Sequence, residues 1–185
     1  MKNLIFIAQW NVNRAASWSG THLSLFNALS KRFDVMDIDS SYNKIDGMDA
    51  FVYRVERVIR RFNHSTDQAE ISRFKLINRR FNKRLEKGKE PVFQFEASPK
   101  LDHPSYLYID LHADYVHRMK EDSTELFQNS NFAAMSDRYI NALTDWQKSY
   151  FESCAGVFSM GKWVVDEINK RNLLTASKLH HVGGG

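Results

Sequence analysis

A histidine and an aspartate follow a strongly apolar segment in the middle of the chain. Residues 106–111 have the sequence Tyr-Leu-Tyr-Ile-Asp-Leu, and His112 and Asp114 come just after them. A short apolar run of this kind is typical of a strand covered on both faces of a parallel sheet. Such sheets bind ligands outside the carboxyl ends of their strands. This placement favours His112 as a ligand-facing group, and a solvated loop histidine is the alternative.

A loop with one glycine near the start of the chain is the second place where chemistry is expected. Residues 3–9 form an apolar strand, and a helix follows the loop that contains Ser19, Gly20 and Thr21. The free backbone amides at the start of such a helix suit an anion or sugar hydroxyls. The loop lacks the G-x-G-x-x-G pattern that a dinucleotide pyrophosphate needs, so we reject a nicotinamide cofactor and predict none.

These two places need a scaffold, and the rest of the chain alternates between strand and helix patterns. The predicted strands are 3–9, 33–39, 91–96, 106–111, 156–160 and 178–182, and the predicted helices are 23–32, 51–62, 66–86, 136–153 and 162–171. The alternation predicts an α/β fold, a Rossmann-like three-layer sandwich with a central parallel sheet of about six strands and helices on both faces. We expect strand 91–96 beside strand 3–9, with the ligand crevice between them.

Length and composition set the class of protein. A chain of 185 residues suits one domain with a full core, and a hydrophobic content of 43% excludes a disordered or fibrous protein. Cys154 is the only cysteine, so we interpret it as a small core residue in a reducing compartment. No apolar run is long enough for a signal peptide or a spanning helix, which predicts a soluble cytoplasmic protein.

Positive charge is concentrated in one segment of the chain. Between Arg54 and Lys89 there are twelve Lys or Arg and four acidic residues, which gives +8 against +4 for the whole chain. An ordinary solvated face of two helices explains this pattern. The alternative is a surface for anionic lipid or a negatively charged acceptor, with the protein peripheral on the inner face of the membrane. Nucleic acid is not favoured, because Phe62, Phe74 and Phe81 fall on the buried side of these helices.

Five segments, taken in order, resemble the N-terminal domain of a retaining GT-B glycosyltransferase of the broad family 4 group. They are Trp18-Ser-Gly-Thr21 with the helix after it, Phe93-Gln-Phe-Glu96, Tyr108-Ile-Asp-Leu-His112, Gly156-Val-Phe-Ser159-Met-Gly-Lys-Trp163 and Lys178-Leu-His-His-Val-Gly-Gly-Gly185. Gln94 departs from the family's pattern in the second segment. The similarity of order and spacing extends over nearly the whole chain.

The resemblance implies transfer of a sugar from a nucleotide-diphosphate sugar to an acceptor hydroxyl, with retention of the anomeric configuration. It implies that His112 faces the donor sugar and that the 19–21 loop contributes to the cleft. Glu96 and Asp114 are candidates to bind an acceptor hydroxyl, and a helix cap or a salt-bridge partner is the alternative role for each. The implied acceptor is a glycan, a lipid-linked molecule or another small molecule.

The resemblance also divides the protein into domains. Residues 1–182 correspond to the acceptor-side domain, and 183–185 correspond to the start of an interdomain linker. The domain that carries most of the nucleotide-sugar site is absent from this chain, so we expect the chain to be inactive alone. A nucleotide-sugar epimerase of the same architecture and a non-enzymatic domain that binds through its basic helices remain open alternatives. No metal site is predicted, because no ligand spacing occurs and His180 and His181 are neighbours in a strand.

Overall fold

The computed structural model describes residues 2–40, 55, 78–79, 81–82, 85, 88–95, 100–130, 132–133 and 135–183. The strands are β1 (Lys2–Ala8), β2 (Phe33–Asp39), β3 (Val92–Phe95), β4 (Ser105–Ile109), β5 (Gly156–Ser159) and β6 (Leu179–His181). The helices whose full extent is described are α1 (Thr21–Ser30), α2 (Ala113–Asp122), α3 (Thr124–Gln128), α4 (Asp137–Ser153) and α5 (Lys162–Lys170). Two 3-10 turns, Arg14–Gly20 and Ala176–Lys178, precede α1 and β6.

All six strands form one parallel sheet in the order β2-β1-β3-β4-β5-β6. Strand β1 is interior, with Ile5 beside Met36 of β2 on one side and beside Val92 of β3 on the other. The predicted α/β class and the predicted pairing of the first strand with the 91–96 strand are therefore confirmed. Residues 4–8 are all buried, as their continuous apolar run indicates for a strand covered on both faces.

The two faces of the sheet carry separate cores. On one face, Leu107 and Ile109 of β4 pack with Tyr150 of α4 and with Val164 and Ile168 of α5. On the opposite face, aromatic and aliphatic side chains of the sheet pack against α1; they include Phe6, Phe95, Tyr108, Phe26 and Leu29. Helices therefore cover both faces, as predicted, and the crossovers through α1 and through α2–α4 lie on opposite sides of the sheet.

The strand order places the topological switch point between β1 and β3. From β1 the chain crosses to β2 on one side, whereas β3, β4, β5 and β6 follow one another on the other side. Connections that leave neighbouring strands in opposite directions open a crevice at the carboxyl edge of the sheet. The switch point therefore lies between the two strands for which it was predicted.

The helix that precedes β3 is fixed to the loop before β4 by two asparagines. Asn78 Oδ1 accepts from the Lys100 amide at 2.9 Å, and Asn82 Oδ1 accepts from the Asp102 amide at 2.8 Å. Phe81 and Leu85 pack against the core formed by β1 and β3, as their predicted inward positions require. Arg79 and Lys89 are exposed. The other charged residues of the 54–89 segment, and the rest of its two predicted helices, lie outside the described residues.

The largest difference from prediction is at the end of β4. The strand ends at Ile109, two residues before the predicted end, and a helix occupies 113–122, a stretch for which no helix was predicted. His112 is therefore the residue before a helix and does not directly follow a strand. The short helix α3 (Thr124–Gln128) was also not predicted.

Candidate functional site

His112 is the N-cap of α2. Its backbone is extended (φ −131°, ψ 153°), and its Nδ1 accepts a hydrogen bond from the Tyr115 amide at 3.2 Å. A side chain in this position satisfies one of the amides that the first helical turn leaves without a partner. The side chain is only 1% exposed. The sequence predicted this histidine in a strand-end position, but its role as a helix cap became visible only in the structure.

The cap fixes the chemical state of the imidazole. Because Nδ1 accepts from an amide, the proton of the neutral ring is on Nε2. Nε2 is buried and makes no hydrogen bond. Burial lowers the pKa of His112, and the nearby carboxylates of Asp114 and Glu167 oppose that shift. The ring is therefore a neutral group whose one N–H donor has no partner among the described residues.

Asp114 is engaged in an ion pair. Its Oδ1 and Oδ2 lie 3.0 Å and 2.9 Å from Nη1 and Nε of Arg171, at the end of α5. Arg118, one turn further along α2, contacts Glu167 of α5. Each helix thus supplies one arginine and one carboxylate to the pair of contacts. This arrangement corresponds to the salt-bridge role that the sequence left open for Asp114.

A cavity of about 260 Å³ lies between α2 and α4, beside His112. Its walls are mostly apolar, and they include Val116 of α2 and Leu143 of α4. Gln147 of α4 contributes an amide, whose Oε1 accepts from the Ala113 backbone amide at 2.6 Å. The large side chains of α4 are divided between this cavity and the core. Tyr150 is in the core, while Tyr139, Leu143 and Trp146 line the cavity.

The 19–21 loop forms the start of α1. Gly20 is the N-cap and has φ +89°, a conformation that a side chain at this position would strain. Thr21 is the first residue of the helix and is half-buried. Having a glycine cap, the helix receives no side-chain hydrogen bond from its N-cap. Ser19 belongs to the preceding 3-10 turn. The backbone amides of Gly20 and Thr21, at the start of α1, are the donors that the sequence predicted at this place.

The loop before that turn is held by an aspartate that the sequence did not single out. Asp37 of β2 accepts from Trp10 Nε1 at 2.8 Å, and it pairs with Arg14 Nη2 at 2.5 Å. The Arg14 guanidinium also lies 4.4 Å from the centre of the Trp10 ring. The predicted β2 strand gave the position of Asp37, but the partners could not be inferred because they depend on the path of the loop.

His22 lies at the switch point. It is 7% exposed, and its ring centre is 4.1 Å from that of Phe95 at the end of β3. Its Nδ1 donates to the Gln9 carbonyl at 3.2 Å. Burial lowers the pKa of His22, partly offset by that hydrogen bond. Sequence reasoning did not single out His22, so this buried position was missed.

Gln94 is a polar residue in the middle of the sheet. It stands between Ile7 of β1 and Leu107 of β4 and is 0% exposed. Within the part of the chain that the structure describes, neither its Oε1 nor its Nε2 has a hydrogen-bond partner. A buried amide without partners is rare and calls for a physical explanation.

The predicted site residues fall into two groups on the carboxyl edge of the sheet. Gly20 and Thr21 belong to the β1 side, and His112 and Asp114 belong to the β4 side. Strand β3 separates β1 from β4, so the two strands are about 10 Å apart. The first group starts a helix on one face of the sheet and the second starts a helix on the other. Glu96 lies outside the described residues.

No group of three or more His, Cys, Asp or Glu side chains among the described residues is placed to hold a metal ion. Within the same part of the chain, no helix is both long and apolar enough to cross a membrane. No protein-family model matches the chain, and no curated protein matches it at a significant level.

Proposed function

We propose that the chain is the acceptor-side domain of a retaining glycosyltransferase that transfers a sugar from a nucleotide-diphosphate sugar to an acceptor hydroxyl. The observation that carries the proposal is the state of His112. It stands at the carboxyl edge of the sheet, is held by the Tyr115 amide, and keeps an N–H on Nε2 without a partner. The resemblance of five ordered sequence segments to such a domain supports the same conclusion.

The chemistry suits a preorganised, uncharged donor. Transfer from such a donor develops negative charge on the leaving diphosphate and partial charge at the sugar. A neutral imidazole fixed by its other nitrogen has its tautomer and orientation set in advance. Because Nε2 is buried, neighbouring side chains must move before it can donate to the sugar. The amides at Gly20 and Thr21 supply further donors on the β1 side of the crevice. In the proposed enzyme, a second domain of the kind that the resemblance implies holds most of the nucleotide.

Asp114 has a supporting role in this proposal. Its carboxylate is occupied by Arg171, so it fixes α2 against α5 and thereby holds the start of α2, where His112 is the cap. Acceptor binding then requires other groups at the carboxyl edge of the sheet. The acceptor-binding role of Glu96 remains a prediction.

The proposal is tested by replacing His112 with asparagine in the full-length natural protein. Asparagine is a strong N-cap, so His112→Asn keeps the hydrogen bond to Tyr115 and the stability of α2. We expect transfer to fall by about 100- to 1,000-fold, the usual effect of losing one preorganised donor at a charge-developing centre. Sugar transfer is followed with a panel of nucleotide-diphosphate sugars, and the anomeric configuration of the product is read by NMR.

The matched control is His117→Asn, which removes a histidine from the same helix at a position that contacts Glu121 on the surface. It is expected to leave transfer unchanged. Near-normal transfer by a well-folded His112→Asn enzyme would remove His112 from the site. Release of an epimerised free sugar without any acceptor would instead indicate the epimerase alternative.

A further inference from the structure

We propose that the cavity between α2 and α4 binds an uncharged, mostly apolar molecule that carries one hydrogen-bond acceptor oxygen. The inference concerns binding alone and does not depend on sugar transfer. Three features support this ligand class: the size of the cavity, the chemistry of its walls, and the side-chain amide of Gln147, whose Nε2 has no hydrogen-bond partner among the described residues.

The size of the cavity suits a small molecule. Its volume is about 260 Å³. An apolar protein cavity of about 150 Å³ is large enough to bind benzene, so this one has room for an aromatic ring with a short substituent. Its apolar walls come from both helices and from the segment between them: Val116, Phe132, Met135, Ile140, Leu143 and Trp146.

The walls select against charge. No Asp, Glu, Lys or Arg is among the described residues that line the cavity. A carboxylate or ammonium placed there would lose its hydration without gaining an opposite charge, which is costly. His112, which forms part of the wall, is the cap of α2 and is held as a neutral ring by the Tyr115 amide. Its Nε2 is buried, so in this conformation it offers the ligand no donor. An uncharged ligand is therefore the one that these walls accept.

One polar group gives the ligand its orientation. Gln147 Oε1 accepts from the Ala113 amide, which fixes the side-chain amide so that its Nε2 is the other end. Within the described part of the chain, this nitrogen makes no hydrogen bond, and the residue lines the cavity. An N–H at an apolar wall is best matched by a ketone, ester or ether oxygen, because leaving a donor unpaired beside a bound ligand costs free energy.

The test uses the 185-residue chain and three probes that differ in one feature. Acetophenone has an aromatic ring and an acceptor oxygen, propylbenzene has a similar size without the oxygen, and benzoate carries a charge. Dissociation constants are measured by ligand-observed NMR titration. We expect acetophenone to have the lowest dissociation constant. Propylbenzene should bind about 3- to 10-fold more weakly, because it makes one hydrogen bond fewer, and benzoate should bind most weakly of the three.

Two variants identify the site. Gln147→Glu keeps an oxygen for the Ala113 amide but has no N–H, so the ratio of propylbenzene to acetophenone dissociation constants should fall to about 1. Leu143→Trp fills the cavity and should abolish binding of both. If that variant does not fold, Leu143→Phe should weaken both probes in the same direction. The exposed residue Asp145 on the same helix provides the control, since Asp145→Ala should change neither constant.

Three results would overturn the inference: no saturable binding of acetophenone to the folded chain, binding that survives filling of the cavity, or benzoate binding as tightly as acetophenone. These results are independent of sugar transfer. Binding without any transfer activity in the full-length protein would retain this inference and reject the proposed function, and the converse result would do the opposite.

Discussion

Replacing Gln94 with methionine should stabilise the protein. The Gln94 side chain is 0% exposed in the interior strand β3, and both polar atoms of its amide lack a partner. A buried polar group without a partner costs about 1–3 kcal/mol, because folding removes its hydrogen bonds to water and returns none. Methionine has nearly the same length and volume and no polar amide, so Gln94→Met removes this cost without opening a cavity.

The expected gain is about 1–3 kcal/mol in the free energy of unfolding. For a chain of this size, each kcal/mol raises the Tm by roughly 2–4 °C. Urea denaturation gives the free energy and thermal melts give the Tm, both on the same preparation. Gln94→Ala serves as a packing control. It also removes the amide but leaves a cavity between β1 and β4, so it should be less stable than Gln94→Met.

The matched control makes the same change where the amide is used. Gln147 Oε1 accepts from the Ala113 amide at 2.6 Å, so Gln147→Met should cost about 1 kcal/mol. Opposite signs at the two positions are the result that the structure requires. A loss of stability in Gln94→Met would show that its amide has a partner in solution, such as a buried water, and would refute the reasoning.

Two further predictions concern titration and reactivity. Burial lowers the folded-state pKa of His112 and of His22, so the unfolded chain binds more protons and stability should fall as pH drops below about 6.5. His112→Asn should flatten that slope in urea titrations between pH 7 and 5, and an unchanged slope would contradict the assignment. Burial raises the pKa of the Cys154 thiol to about 12, so a thiol reagent should leave it unmodified until urea unfolds the chain. Rapid labelling of the native protein would contradict its buried position.

The strands of the sheet could be predicted because strands buried on both faces have runs of consecutive apolar residues. The run from Leu4 to Ala8 is apolar throughout and is buried throughout. The order of β1 and β3 followed from the switch-point rule, which depends only on the alternation of strands and helices. The prediction of Cys154 as a small core residue is confirmed by its 1% exposure.

Helix α2 was missed because it has few apolar residues. Ala113 and Val116 are its buried side chains, and two apolar positions are too few to show helical periodicity among so many polar residues. The signal was in the charges. His117 and Arg118 each precede an acid four residues later, and these pairs form contacts of 3.1 Å and 3.3 Å. Pairs at this spacing favour a helix.

The partners of the site residues could not be predicted, because they are far apart in the chain. Asp114 and Arg171 are separated by 57 residues and meet only when α2 and α5 pack side by side. The link between Asp37 and Trp10 likewise spans 27 residues. Residue type and local spacing indicated that Asp114 had either a ligand or a salt bridge as its partner. Only the packing of the helices decided between them.

Two clusters of buried side chains on the same face of the sheet draw on different parts of the chain, which has a consequence for how the chain assembles. The core that contains Leu107, Tyr150 and Val164 draws all its buried residues from β4 onward. The core under β1 instead requires Val92 and Leu101, which come from the far side of a long connection. Short loops close at a lower entropic cost than long ones. The β1–β3 pairing closes the long connection from Asp39 to Val92, so we expect it to form later than the β1–β2 pairing, whose connection from Ala8 to Phe33 is much shorter.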